Sequence, residues 1–342
     1  MKPFLTIRTL TDGGQPASEV GALIAGFLDG AERTLDLAQY DFDLGPATSA
    51  VIGDAIRRAA ARGVRVRLAY NVDHANPVPV PPPPSPDETL IDSLPIEAFA
   101  IAGVPDLMHH KYVVRDNAAV WTGSLNWTDD AWTRQENVIV IADSTALAAE
   151  FRRDFTQLID SGTSVGTGHV DPTWHDGVRA WFTPAHGEAL SHRVGQAIGR
   201  AQRRVRVCSP VLTTPPVLGA LAGAVVGGRV DVGGCVDGTQ MRDVARQWRS
   251  GKGGWKVPLL QRVAGAFTAK LSTPYGAGNV HDFMHAKVTI CDDTVFAGSF
   301  NLSRSGERNA ENVLEIEDAE IADGLAAFVD DVRGRYGPLT LS

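Results

Sequence analysis

The sequence predicts an α/β fold made of two pseudo-symmetric α/β/α sandwich units, each built on a mixed β-sheet. The first observation behind this prediction is an internal repeat, because a His-x-Lys segment at His109 recurs 176 positions later at His285. The second is that short β-rich runs alternate with helical patterns in both copies, as expected for layered α/β proteins. We therefore divide the chain into a first unit, residues 1–165, and a second unit, residues 166–342.

Each unit is predicted to open and close on a helix, with strands between. Apolar residues at helical spacing mark the openings (Val20, Ile24, Phe27, Leu28, Ala31; Val194, Ala197, Ile198, Ala201) and the closings (Leu147, Phe151, Phe155, Leu158; Ile321, Leu325, Phe328, Val332). The strand candidates are TLDLAQYDF, VRVRLAY, KYVVRD, AAVWTGS and NVIVIA in the first unit, and KVTICD, TVFAGS and NVLEI in the second. A segment rich in Gly, Ser and Thr, Ser161 to Pro172, is predicted to connect the units.

Composition narrows the class of protein. The 342 residues include 32 Lys and Arg against 40 Asp and Glu, a net charge of −8, which excludes a uniformly basic protein that coats polyanions. Three scattered cysteines do not form a disulfide framework or a zinc ribbon, so a reducing compartment is expected. The N-terminal segment has no apolar core of a signal peptide, and no apolar run approaches membrane-spanning length. We expect a cytoplasmic protein without stable membrane insertion.

Two segments depart from the repeat. A proline-rich run, Asn76 to Pro86, predicts an extended loop that either shapes access to a site or acts as a spacer. Residues 242–270 carry seven Lys and Arg and one acid, a local charge of +6. This segment is either a solvated amphipathic helix with a loop or a substrate lip that meets phosphates and stacks on bases or dips into lipid. The candidate lip residues are Arg246, Trp248, Arg249, Lys252, Trp255 and Lys256.

The repeat carries a set of residues suited to phosphodiester chemistry. Both copies read His-x-Lys, four residues, Asp, then Gly-Ser-x-Asn, followed by a Glu-Asn pair. The predicted catalytic residues are His109, Lys111, Asp116, His285, Lys287 and Asp292, and the predicted phosphate-binding or orienting residues are Ser124, Asn126, Glu136, Ser299, Asn301 and Glu311. Lysines and asparagines can hold the oxygens of a pentacovalent phosphorus, and one histidine can attack it while the other protonates the leaving oxygen. Either glutamate could accept the second ring N–H of a histidine.

Both motifs resemble the HxKxxxxD motif with trailing GSxN of the phospholipase D superfamily, and the resemblance covers essentially the whole chain. It implies two sandwiches that face each other across a pseudo-two-fold axis and share one active site. It also implies metal-independent hydrolysis or transfer through a phosphohistidine on His109, with His285 as acid and base. Two of these positions keep a second interpretation, because Asp116 and Asp292 follow strand-like runs and could instead be turn residues that bind local backbone.

Other side chains point to packing rather than chemistry. His110 should face away from His109 on a strand, which favours packing or surface exposure. A metal site is disfavoured, because no Cys-x-x-Cys or His-x3-His spacing occurs and each motif lysine would repel a cation, so no cofactor is expected.

Three functions remain open for the shared site. A nuclease or nucleotide phosphodiesterase is favoured over a phospholipase D or transphosphatidylase, and a silent nucleic-acid-binding scaffold would have no need of two intact His and Lys pairs. Because both motifs lie in one chain, a monomer should suffice for a complete site.

Overall fold

The structure is a computed structural model and describes residues 2–73, 86–274 and 279–341. Except for Pro86, the proline-rich run lies outside these residues. The first unit contains strands β1 (Leu5–Leu10), β2 (Thr34–Gln39), β3 (Phe42–Asp43), β4 (Arg65–Val72), β5 (Glu97–Ala102), β6 (Lys111–Arg115), β7 (Ala119–Gly123), β8 (Trp127–Thr128) and β9 (Asn137–Ala142). Its helices are α1 (Ala17–Asp29), α2 (Pro46–Ala61), α3 (Glu88–Asp92), α4 (Asp129–Thr133) and α5 (Thr145–Ser161).

The second unit follows the same plan. Its strands are β10 (Val178–Phe182), β11 (Arg204–Ser209), β12 (Asp231–Asp237), β13 (Phe267–Lys270), β14 (Val288–Cys291), β15 (Thr294–Gly298) and β16 (Asn312–Glu317). Its helices are α6 (Gly187–Arg200), α7 (Pro215–Gly227), α8 (Gly238–Ser250), α9 (Val257–Ala264), α10 (Arg304–Arg308) and α11 (Ala319–Arg335), with a 3₁₀ turn at Gly254–Lys256. Across the described ranges, no helix is both long enough and apolar enough to span a membrane.

Two seven-stranded mixed sheets confirm the predicted fold class. The first has the order β1-β9-β7-β6-β2-β4-β5 and the second the order β10-β16-β15-β14-β11-β12-β13. In each sheet three consecutive strands pair in parallel, β2-β4-β5 and β11-β12-β13, and the remaining pairs are antiparallel. Because the strands of one sheet lie within residues 5–142 and those of the other within 178–317, the sheets follow the repeat. The exact boundary at residue 165 stays a prediction.

The predicted opening and closing helices are present as α1, α5, α6 and α11, and their ends have local causes. Ser144 caps α5 by accepting the Leu147 N–H, and α5 ends at Gly162 in the left-handed region (φ 66°). Asp318 caps α11 in the same way through the Ile321 N–H. Sequence reasoning missed α7, whose apolar residues do not form one stripe, and the short edge strands β1 and β10.

The two units share a hydrophobic core. Helices α5 and α11 contribute Phe151, Phe155, Leu325 and Val329 to one buried cluster that also contains residues of both sheets. Two further cores lie on the outer faces, one under α1 and α2 and one under α6 and α7. Since apolar burial is the main stabilising contribution to folding, the common cluster fixes the two sheets relative to each other.

The structure places both motif aspartates in turns where they bind local backbone, which favours the second of their two interpretations. Asp116 adopts a left-handed conformation (φ 55°), and its carboxylate accepts the backbone N–H groups of Glu32, Arg33 and Thr34 at 2.7–2.9 Å. Asp292 (φ 53°) does the same for residues 202, 203 and 204. Asp116 follows the far end of β6, roughly 16 Å along the strand from Lys111. Each aspartate therefore fixes the start of the neighbouring strand.

Replacing Asp116 with alanine should destabilise the fold without changing the chemistry. The variant leaves three backbone donors without their acceptor and puts a residue with a Cβ but no local hydrogen bond in a left-handed turn. We expect a loss of about 2 kcal/mol in the free energy of unfolding, measured by urea denaturation, with kcat unchanged in the folded protein. Asp292→Ala is the matched variant, and a large loss of kcat at full stability in either would restore the catalytic interpretation.

Candidate active site

The two His-x-Lys motifs lie at equivalent strand starts and meet between the sheets. Lys111 begins β6, and His109 precedes it beside Ala310 of the second unit, whose carbonyl accepts the His109 N–H at 2.8 Å. His285 and Lys287 occupy the same positions before β14, and Met284 pairs with Glu136 of the first unit. All four side chains are buried, and each lysine Nζ donates to the carbonyl of its own histidine, at 2.7 and 2.8 Å.

Each histidine takes its hydrogen-bond partner from the other unit. His109 Nδ1 lies 2.8 Å from both carboxylate oxygens of Glu311. His285 Nδ1 lies 3.0 Å from Oδ1 of Asn137. With Nδ1–H donated in both cases, the free lone pair of each ring is on Nε2. Both motifs and their hydrogen-bond partners therefore lie in one chain, with one histidine paired to a carboxylate and the other to a neutral amide.

The prediction that Glu136 pairs with a histidine was wrong, because the units differ in strand register. Glu136 and Glu311 are equally spaced from the preceding motif asparagine, yet Ser124 N–H donates to Val138 whereas Ser299 N–H donates to Asn312. This pairing makes Val138 the counterpart of Asn312. These two residues are 174 positions apart in the sequence, whereas Glu136 and Glu311 are 175 apart. Asn137 is thus the counterpart of Glu311, and since neighbouring strand residues face opposite sides, Glu136 points elsewhere.

Glu136 instead belongs to a buried ion pair behind the site. Its carboxylate accepts the Tyr336 hydroxyl and lies 3.1 Å from Nζ of Lys270, which also lies 3.0 Å from Asp12. Lys270 was counted in the basic segment, but these contacts join the two units and give it a structural role. The carboxylate of Glu136 is therefore unavailable to His285.

The motif serines orient the histidine partners. Ser124 Oγ donates to Oδ1 of Asn137 at 2.7 Å, and it accepts the Val138 N–H. Ser299 Oγ accepts the Asn312 N–H at 3.0 Å and hydrogen-bonds the Glu311 carboxylate. The preceding glycines have a structural role, because a Cβ at Gly123 would collide with the Val138 carbonyl oxygen across the strand pair.

The motif asparagines remain available to a ligand. Asn126 is buried with Nδ2 3.5 Å from Oδ2 of Asp41, a distance at the limit of a hydrogen bond. Asn301 is partly exposed. Oδ1 of both amides has no hydrogen-bond partner among the described residues. Their predicted role in holding phosphate oxygens stays a prediction.

Burial and crowded positive charge shift the pKa values of the site. Burial lowers the pKa of His109 to about 4, although the neighbouring Glu311 carboxylate opposes the shift. The pKa of His285 falls well below its ordinary value through burial and the two lysine charges. Burial likewise lowers the pKa of Lys111 to about 7, and Lys287 falls through burial and repulsion by Lys111. A bound anion would relieve this repulsion.

The candidate lip is only partly placed to meet a substrate. Arg249 donates to the Leu341 carbonyl, Arg246 pairs with Asp243 on its own helix, and Trp248 packs against the outer core. Lys256 Nζ donates to the Thr213 carbonyl. The Thr213 N–H in turn donates to the carbonyl of Leu302, the residue after Asn301. Trp255 is 59% exposed with Lys256 Nζ 5.7 Å from its ring, and Lys252 is exposed. Of the six residues, the contacts bring Lys256, with Trp255 beside it, close to the second motif.

Sequence reasoning missed two first-unit residues near His109. Tyr40 packs its ring edge-on against His109, 4.5 Å between centroids, and Lys111 Nζ lies 4.7 Å from the Tyr40 ring. Asp41 follows it and lies beside Asn126. Both residues come directly after β2, within the strand candidate TLDLAQYDF. The search for repeated residues did not identify them, because the second unit has no Tyr and Asp at the equivalent positions. His110 is buried, as its opposite-face prediction allowed, with Nδ1 3.1 Å from Oδ1 of Asn312.

The arrangement provides two imidazoles with free Nε2 atoms, two ammonium groups and two amides around one buried space. No three His, Cys, Asp or Glu side chains within residues 2–73, 86–274 and 279–341 are grouped so as to hold a metal ion. Positive charge for a phosphorane oxyanion is therefore available from Lys111 and Lys287. The residue types can supply nucleophilic and acid-base catalysis on a phosphodiester.

Comparison with curated proteins gives relatives of one kind. The mitochondrial cardiolipin hydrolase of Xenopus laevis is 29% identical over 133 residues, 38% of this chain and 56% of that protein. The enzyme of the same name from Chlamydomonas reinhardtii is 30% identical over 142 residues, 39% of this chain and 55% of that protein. The chain thus spans little more than half the length of the curated relatives it matches.

Comparison with solved structures and family models extends over the whole chain. The fold is similar to phosphatidylserine synthase of Haemophilus influenzae, with a TM-score of 0.67 over 96% of this chain and 86% of that one, at 12% identity. Residues 24–159 and 194–332 each match the family model described as cardiolipin synthase, PLD-like domain. Because the family model matches the chain twice and the curated relatives agree with it, the chain belongs to the phospholipase D superfamily of phosphodiesterases and consists of two fused PLD-like units.

Proposed function

We propose that the chain hydrolyses a phospholipid headgroup ester without a metal, through a phosphohistidine on His109, with His285 as general acid and base. The single observation that carries the assignment of roles is the unequal pairing of the two rings. His109 donates Nδ1–H to the Glu311 carboxylate, whereas His285 donates to the neutral Asn137 amide. The resemblance in sequence implies the same roles independently.

The unequal pairing matches what each role requires. Attack by His109 Nε2 on phosphorus leaves a positive charge on the ring, and an adjacent carboxylate stabilises that charge. The general acid must instead release a proton readily, and a neutral amide holds the orientation of His285 without stabilising its charged form. Exchanging the roles would leave the charged intermediate beside the amide.

The proposed cycle conserves atoms and protons. His109 Nε2 forms a bond to phosphorus as the bond from phosphorus to the headgroup oxygen breaks, and His285 gives its proton to that oxygen. His285 then removes a proton from water, whose oxygen attacks phosphorus and breaks the P–N bond. The products are a free headgroup alcohol and a phosphomonoester, and both rings return to their starting states.

The pH profile should show an acidic optimum. Attack requires neutral His109, so kcat/KM should fall below about pH 4, where its Nε2 becomes protonated. Proton donation requires charged His285, and burial and the neighbouring lysine charges hold its pKa well below the ordinary value, so kcat/KM should also fall as the pH rises above that lowered pKa. The test is kcat/KM for dihexanoyl phosphatidylcholine with released choline quantified after quenching, and circular dichroism at each pH as the folding control. An optimum at or above pH 8 would contradict these shifts.

The phospholipid preference rests on the relatives. Two of the curated relatives are named cardiolipin hydrolases, and the family model is described as a cardiolipin synthase domain. The coverage of each relative is about half, so their activity is transferred here as a proposal. Nothing in the catalytic residues themselves requires a lipid rather than another phosphodiester.

Nucleic acid is the second candidate, favoured by one feature of the surface. Trp255 is exposed beside Lys256, and Lys256 reaches the segment next to Asn301. An exposed aromatic ring flanked by cations can stack on bases and meet backbone phosphates.

A substrate panel in excess EDTA tests both the substrate class and the metal-free mechanism. Wild-type protein and His109→Ala are compared on cardiolipin vesicles, dihexanoyl phosphatidylcholine, single-stranded DNA and RNA. We expect headgroup release from phospholipid, absent in the variant. Hydrolysis of DNA or RNA alone would reject the lipid substrate and retain the mechanism. Hydrolysis that stops in EDTA and returns with added metal would reject the metal-free mechanism.

A further inference from the structure

A buried carboxylate with an open acceptor lies next to the motif residues of the first unit. Asp41 is 6% exposed, its Oδ2 lies 3.5 Å from Nδ2 of Asn126, and Oδ1 has no hydrogen-bond partner among the described residues. It lies within electrostatic reach of Lys111, which only partly offsets the burial that raises the pKa of Asp41 to about 7. Native proteins rarely leave such an oxygen unpaired, because burying it without a partner is unfavourable.

The repeat shows that the fold does not need this carboxylate. Phe42 pairs with Trp127 in the first unit, and Leu212 pairs with Leu302 at the same place in the second. The residue before Leu212 is Val211, so an aliphatic side chain occupies the counterpart of Asp41. Asp41 is therefore a feature of one side of the site and not of the architecture.

Further acids surround Asp41 and make this side of the site negative. We call Asp41, Asp43, Asp87, Asp129 and Asp130 the acidic rim. The pKa of Asp43 is raised by partial burial and by repulsion from Asp87, Asp129 and Asp130. Asp129 accepts the Thr48 hydroxyl, and Asp130 accepts the His281 N–H at 2.8 Å. The side of the second motif carries Lys256 and Arg304 instead, which lie close enough to repel each other.

We propose that Asp41 binds an ammonium group on the leaving alcohol of the substrate, so that the enzyme selects phosphodiesters of amino alcohols. The proposal rests on the proposed function and names the headgroup class that the site takes. The phosphate would lie at Lys111 and Lys287, and an ammonium a short carbon chain away would donate to Oδ1 of Asp41. The ammonium is unchanged in the reaction, since only the bond from phosphorus to the alcohol oxygen breaks.

The alternatives fit the acidic rim less well. A polyanionic strand would bring its flanking phosphates against these carboxylates, which is unfavourable. Within the described ranges the acids are not grouped as a metal site, so an organic cation is the better match. A role confined to balancing the Lys111 charge would not explain the open acceptor, because Oδ1 of Asp41 has no hydrogen-bond donor, Lys111 Nζ included, among the described residues.

The experiment compares one charged and one neutral headgroup in matched variants. Asp41→Asn keeps the shape, and Asp41→Val copies the second unit in case the amide variant misfolds. The measured quantity is the ratio of kcat/KM for dihexanoyl phosphatidylethanolamine to that for dihexanoyl phosphatidylglycerol. We expect the wild-type ratio to exceed one and to fall at least about tenfold in both variants, as expected for loss of a charge-assisted hydrogen bond. An equal loss for both lipids would overturn the proposal and leave Asp41 as a support for Lys111.

A binding measurement separates this proposal from the lipid function. Calorimetry in the His109→Ala background gives Kd for glycerophosphoethanolamine and for glycerophosphoglycerol, with and without Asp41→Asn. A preference for the ethanolamine diester that disappears in the double variant supports ammonium recognition even where lipids are not hydrolysed. Equal Kd values for the two diesters would overturn it even where lipids are hydrolysed.

Discussion

His109→Ala is expected to abolish turnover, with kcat reduced by about 10⁴-fold or more, because the variant has no nucleophile to form the phosphohistidine. His285→Asn should also lower kcat strongly, but it keeps the nucleophile. With a substrate whose leaving group needs no proton, such as bis-p-nitrophenyl phosphate, His285→Asn should release one equivalent of nitrophenol in a burst and then stall. Rapid quenching and intact-mass spectrometry measure the burst and the added phosphoryl group.

The pair of variants is decisive because the outcomes are reciprocal. Wild-type protein and His109→Ala serve as controls, and circular dichroism verifies that both variants fold. A covalent adduct on His285 in the His109→Ala variant would reverse the roles. Absence of both a burst and an adduct in His285→Asn, together with steady turnover and no burst in the wild type, would argue for direct attack by water.

Glu311→Gln should produce the second-largest loss, about 10²–10³-fold in kcat, with little change in KM. In the wild type, His109 Nδ1 lies 2.8 Å from the Glu311 carboxylate. The amide oxygen of the variant can still accept the His109 Nδ1–H, but it cannot stabilise the charge that develops on the ring. Glu311 is fully buried, so thermal unfolding must accompany the kinetics. A variant that keeps wild-type kcat would mean that His109 does not become charged during the reaction.

Asn137→Asp is the matched variant on the other ring. A carboxylate beside His285 favours its charged form, so the pKa of His285 rises and the alkaline limb of kcat/KM moves to higher pH. Because a more stable imidazolium is a weaker acid, kcat with an alkyl leaving group should fall by less than in Glu311→Gln. An unchanged pH profile in Asn137→Asp would show that His285 is not the group that titrates.

The architecture and the His and Lys pairs could be predicted because repetition supplies its own evidence. Two copies of one motif, each flanked by the same run of strands, predict two similar sheets and a shared site. The closing helices were equally clear, since Phe151 and Phe155 in one and Leu325 and Phe328 in the other lie at helical spacing and pack into the common core. Here local pattern and tertiary structure agree.

The errors arose where repetition in sequence and equivalence in space diverge. Glu136 and Glu311 match letter for letter, but strand pairing rather than spacing decides which face a side chain takes. Asp116 recurs as Asp292 because both units need the same strand start, so recurrence alone did not separate structure from chemistry. Asp41 escaped for the opposite reason: it has no counterpart in the second unit, and a search for repeats does not find it.

A difference of one residue in strand register makes the two halves of the site unequal. Deleting the single codon for Asn137 would leave Glu136 directly before Val138, in the place that Glu311 holds opposite His109. Three residues would then separate the end of α4 from Val138, as three separate the end of α10 from its counterpart Asn312. A protein with two carboxylate-paired histidines is thus one deletion away, and the unequal pairing of His109 and His285 depends on the length of a loop as well as on the residues it carries.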